Sequence, residues 1–134
     1  MEDWKRLVAY ILSRLGCTHP FRVTRILALA ELRALERGLP RISNARYVPG
    51  PGVFYVEGFK EAIQGDDCFY KREGDPERGV RGCIGYRCEP PSIPGEIAEL
   101  LDEAIEASKG LDDMELNRLV IEHPLFKRLA GEEG

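Results

Sequence analysis

Uncharged polar side chains are scarce in this 134-residue chain: one Gln (Gln64), two Asn (Asn44, Asn117) and two Thr (Thr18, Thr24). A composition rich in ions and poor in thermolabile amides is that of a hyperthermophile protein. No apolar run approaches the roughly 20 residues that span a bilayer. The opening Met1-Glu2-Asp3-Trp4 also lacks the basic-then-apolar plan of a secretory leader. A cytoplasmic chain that avoids membranes is therefore expected. Cys17, Cys68, Cys83 and Cys88 form no Cys-x2-4-Cys knuckle, so a structural zinc is not expected. With no repeat, linker or low-complexity tract, residues 1–134 read as one domain.

What is present suffices for a core, since 43% of residues are apolar and 31% charged. The net charge of −4 conceals an asymmetry. Residues 1–49 carry nine Lys/Arg against four Asp/Glu, and residues 89–134 carry four against twelve. Such opposed fields either meet within the molecule or leave a basic half for an acidic partner or nucleic acid.

Hydrophobic periodicity predicts an α+β fold, predominantly helical, with about five helices and one β-hairpin inserted before the C-terminal helices. Trp4, Leu7, Val8, Ile11, Leu12 and Leu15 keep helical spacing between a capping Asp3 and a stopping Gly16. A second helix starts at Pro20 and runs to Gly38. It is apolar nearly all round and hence central, with Arg22, Arg25, Arg33 and Arg37 on its remaining strip. Pro40, Pro49, Gly50, Pro51 and Gly52 mark a constrained loop, after which Val53 to Ile63 reads as a short helix. Residues 68–72 and 80–88, rich in aromatic and β-branched side chains, flank the turn-forming Glu73–Gly79 and read as the hairpin, within 66–89. Helices return after Pro94 and after Asp112, where Asp112 and Glu115 outline a capping box. The helical body thus covers 1–65 and 92–130, and Gly131-Glu132-Glu133-Gly134 is expected to fray.

Little chemistry is gathered in one place. Cys68 falls on one hairpin strand and Cys83 and Cys88 on the other. A disulfide stapling the ribbon is therefore expected, with Cys17 open to any of the pairings. His19 and His123 each sit at a helix boundary beside a proline, where an end-capping or loop role is expected. Glu96, Glu99, Asp102, Glu103 and Glu106 line what reads as a solvated helix face. Pro49-Gly50-Pro51-Gly52 lacks the N–H donors of a phosphate cradle. No catalytic residue, cofactor or metal ligand is assigned. A surface is, because Arg46, Tyr47, Phe54 and Tyr55 lie on the proline-stiffened loop and would make rigid anchors for a protein partner.

Two stretches carry a resemblance, residues 20–61 and 97–126. The first holds Arg25-Ile26-Leu27-Ala28-Leu29-Ala30-Glu31, then Arg37-Gly38-Leu39-Pro40, Ile42, Arg46-Tyr47-Val48 and Gly50-Pro51 before a Val-Phe-Tyr run. The second holds Leu101-Asp102-Glu103-Ala104-Ile105, Leu111, Glu115-Leu116, Leu119 and His123-Pro124. Together they resemble the Panacea (SocA-like antitoxin) domain family, in a diverged, archaeal-type form. That resemblance implies a non-enzymatic binding protein, a toxin-neutralising antitoxin or an adaptor for proteolysis, whose partner is a toxin-like protein. The alternative is a winged-helix-like DNA-binding regulator, with Arg22, Arg25, Arg33 and Arg37 contacting the duplex.

Overall fold

The first helix, α1 (Trp4–Leu15), begins where Asp3 accepts the Lys5 N–H at 3.1 Å. It ends at Gly16, whose φ of 80° suits only glycine. The computed structural model describes residues 1–131, so Glu132–Gly134 of the tail expected to fray lie outside it. Helix α2 (Pro20–Glu36) follows, with proline in its first turn and the His19 ring as its cap. It touches α1, α4 (Gly95–Ser108), α5 (Asp113–Ile121) and α6 (Phe126–Leu129), which explains why apolar residues surround it. The core forms around it from Leu7, Ile11, Ile26, Leu27, Leu32, Leu101 and Leu116, all at most 2% exposed. Burying each such side chain stabilises the fold by about 1.5–3 kcal/mol. The expected capping box is present: Glu115 N–H donates to Asp112 at 2.8 Å, and Asp112 N–H to the Glu115 carboxylate at 2.9 Å.

The fold is α+β and about half helical, with six α-helices and two antiparallel hairpins among the described residues. The expected hairpin is β3 (Phe69–Arg72) paired with β4 (Cys83–Tyr86), and it precedes the last three helices. A second hairpin corrects the reading of residues 47–56. Strands β1 (Tyr47–Gly50) and β2 (Val53–Val56) pair Tyr47 with Val56 and Gly50 with Val53. In a two-stranded ribbon every strand is an edge, so Pro49 can sit where its missing N–H is not needed. Pro51-Gly52 closes the turn with Gly52 at φ 72°, the pattern of a type II turn. The short helix expected over Val53–Ile63 is therefore α3 (Phe59–Gln64) alone.

All four sulfurs are used. Cys68 bonds Cys88 across the ends of the β3–β4 ribbon, and Cys17, in the α1–α2 turn, bonds Cys83 on β4. Thr18 continues that attachment through two backbone hydrogen bonds with Ile84, each 2.9 Å. The ribbon, too small to stand alone, is thus anchored to the helices by one covalent and two polar links.

Candidate functional site

Most of the opposed charge is consumed internally. Each of the α2 arginines expected to face a duplex in the alternative reading is engaged within the chain, and Arg25 is corrected to a buried position. Arg22 donates to Asp113 at 2.9 Å and to the Leu111 carbonyl at 3.0 Å. Arg37 makes a two-pronged bond to Glu103, one arm at 3.0 Å, and Arg33 lies 3.6 Å from the same carboxylate. That hydrogen bond from Arg37, ahead of other causes, holds the Glu103 carboxyl below its ordinary value. Glu103 is therefore not merely one of a row of solvated acids.

Arg25 is only 3% exposed. Its guanidinium is sandwiched between the Phe21 and Phe54 rings, 3.7 and 4.0 Å from their centres. It donates to Asn117 Oδ1 at 3.1 Å, Thr24 Oγ1 at 3.0 Å and the Phe54 carbonyl at 2.7 Å. Burial pulls its pKa down to about 10, which leaves it charged at neutral pH. Asn117 in turn donates to the Gly52 carbonyl at 2.8 Å, so the pair clamps the β1–β2 hairpin onto α2 and α5.

The expected partner surface is corrected in half of its members. Tyr47 and Phe54, each 3% exposed, point into the core and meet edge to face at 5.6 Å. Alternation along a strand sends Phe54 and Val56 inward and Val53 and Tyr55 outward, so a helical reading of this stretch misassigns its faces. Tyr55 is 60% exposed and Arg46, 3.4 Å from Glu57, lies at the surface. Sequence reasoning missed what holds Tyr47. Its hydroxyl donates at 2.6 Å to Glu31, a fully buried carboxylate of α2. Glu31 also accepts two bonds from Arg41, at 3.0 and 2.8 Å, and two from Ser43, at 3.1 and 2.9 Å. A buried acid needs this degree of satisfaction. The Glu31 carboxylate thereby fixes the loop that leads to β1. The only sequence sign of it was an acid within an apolar helical face.

The histidines act as helix-end ligands. His19 Nδ1 accepts the Phe21 N–H at 3.0 Å, and His123 Nδ1 accepts that of Leu125 at 3.0 Å. Among the described residues, no group of three or more His, Cys, Asp or Glu side chains is placed to hold a metal ion. No helix there is long and apolar enough to cross a membrane.

One concavity stands apart from these networks. A groove of about 550 Å³ opens between α3, the start of α2 and the β3–β4 hairpin. Pro20, Phe59, Ile63, Phe69 and Ile84 line it with apolar surface. Its polar lining is Gln64, Tyr70 and three cations, Lys60, Lys71 and Arg87, and no lining residue is acidic. Lys71 also lies 3.6 Å from the exposed Glu73, an ion pair weak in water. Ring contacts brace the walls. Trp4 stacks on Phe59 at 5.3 Å, Phe69 meets Tyr86 edge to face at 5.0 Å, and Arg87 lies 5.4 Å from the Tyr70 ring centre. The Tyr70 ring lies flat over Gly85, where an added Cβ would come within 2.2 Å of it. Comparison of the chain with protein-family models, curated proteins and solved structures finds no match.

Proposed function

We propose that the chain is a cytoplasmic, non-enzymatic interaction module that binds a protein partner through the groove between α3 and the β3–β4 hairpin. This is the role of a toxin-neutralising antitoxin or proteolytic adaptor that the sequence resemblance implies. The observation that carries it is the groove itself, lined by apolar side chains and three cations and free of acids in its lining. Concave apolar surface with a few convergent polar groups is where ligands gather. The cations there would draw an acidic partner despite the overall negative charge. Arg46 and Tyr55 on the other hairpin are the remaining exposed members of the surface first expected, and they offer a secondary contact.

Co-expression with the product of the adjacent gene tests the reading. A stoichiometric complex on size exclusion is expected, and it should fall apart with the paired substitution Lys71→Glu and Arg87→Glu. A complex indifferent to that pair, or no complex with the native chain, overturns it.

A further inference from the structure

The hydrogen-bond parity of the β3–β4 ribbon says which way each backbone group of β3 faces. Ile84 exchanges both of its backbone bonds with Thr18, so it has none left for Lys71, the residue opposite it. Antiparallel pairs alternate. Tyr70 with Gly85 and Arg72 with Cys83 are therefore the bonded pairs, and the Arg87 N–H donating to the Cys68 carbonyl at 2.8 Å continues the same series. Phe69 and Lys71 turn their backbone groups away from β4. The Phe69 N–H is taken by the Asp66 carbonyl at 3.0 Å, while Lys71 has neither its N–H nor its C=O bonded within the ribbon.

That open edge borders the groove. Phe69, Tyr70 and Lys71 all line it, although successive side chains of a strand point to opposite faces. Residues of both faces of β3 thus contribute to it, and the unbonded backbone of Lys71 belongs to one of them, with Ile84 of β4 also in the lining. The lining also includes Phe59, Lys60 and Ile63 of α3 and Arg87, which follows β4.

Resting on the interaction reading above, we infer that the partner enters as an extended acidic segment that adds a third strand to β3, pairing its backbone with Lys71. Strand addition supplies affinity through main-chain bonds and specificity through alternate side chains. One set of alternate residues, aliphatic, lies on the face of β3 that carries Phe69 and meets it with Phe59 and Ile63; the other, carboxylate-bearing, lies on the face of Tyr70 and Arg87, and Lys60 and Lys71 add to the positive field around the segment. A cationic segment is rejected by the same three charges.

The probe is a synthetic peptide alternating Glu with Leu and Val, added to the disulfide-intact chain. Two reporters are built in: the stacking of Trp4, the sole tryptophan, on Phe59, and the amide proton of Lys71. Binding should change Trp4 fluorescence and slow Lys71 amide exchange at least tenfold. Affinity should fall at least tenfold when Lys replaces Glu in the peptide, and likewise with Lys71→Glu plus Arg87→Glu in the chain. N-methylation of alternate peptide amides should abolish binding on one register and spare it on the other. Equal tolerance of both registers, or Trp4 responding to decanoate but not to the peptide, overturns strand addition. So does self-association that leaves the peptide unbound. Should the charge-reversed pair still lose the co-expressed partner while every peptide is ignored, strand addition alone is retired. Should that pair leave the partner complex intact, the interaction reading fails instead.

Discussion

His19 shows how one side chain can tie stability to pH. Its neutral ring caps α2, and burial, with the nearby Arg81 charge, lowers its pKa from the ordinary 6.5. The unfolded chain therefore takes up the proton first. The cap's contribution is whole above 6.5 and is lost as pH falls through the lower folded-state value. Denaturant midpoints measured from neutral to mildly acid pH should show this slope. His19→Asn, which keeps a capping oxygen, should flatten it, while His19→Ala should cost about 1 kcal/mol at neutral pH. Glu31 makes the larger prediction. Glu31→Ala strands the Arg41 guanidinium and the Tyr47 hydroxyl, and loss of one partner of a buried charge pair costs about 3–5 kcal/mol. Thermal unfolding would register it, and an unchanged midpoint would show that water replaces the carboxylate. Neither Glu31 nor Arg25 announced this role in the sequence. Helical spacing places Arg25 on a polar strip, and it is buried because Phe54 of the β1–β2 hairpin and Asn117 of α5 fold over that strip.

Among elements, the helices were legible and the hairpins only partly so. Caps at Asp3 and Asp112, Pro20 and the glycine stops are local chemistry, readable one turn at a time. The β1–β2 ribbon was misread because Pro49 and the Pro51-Gly52 turn resemble a loop when the partner strand is unseen. The β3–β4 ribbon was visible, yet which sulfurs join is a question of three-dimensional approach, and Cys17 lies far from Cys83 in sequence. In the chain-entropy model, losing the 68–88 link costs about 3 kcal/mol and losing the 17–83 link about 4. Paired Cys→Ser variants should reproduce that order in their unfolding midpoints. Gly85→Ala tests the groove wall. Its methyl would evict the Tyr70 ring, so reduced peptide or partner binding with intact helical circular dichroism is expected.

For the whole molecule, the opposed charges are a way of holding α2 against the acidic helices rather than a long-range field. Asp113 joins Arg22 and Arg81, and Glu103 joins Arg33 and Arg37. Burial works to raise the Asp113 carboxyl, but hydrogen bonds from Arg22 and Arg81 outweigh it and hold the pKa below 3.8. Stability from this group is present above that value and lost as pH falls through the folded-state one. Asp113→Asn should therefore weaken the fold at neutral pH and reduce its acid sensitivity, as urea unfolding across that range would measure. Composition revealed the imbalance of charge; it could not reveal that the two ends lie side by side. The two cysteine bonds also interleave, since 68 lies between 17 and 83 while 83 lies between 68 and 88. A protease that severs the backbone anywhere between Cys17 and Cys88 thus releases nothing. The pieces migrate as one species until a reductant is added, and a nick at the exposed Glu73–Gly79 tip leaves both bonds bridging the two halves.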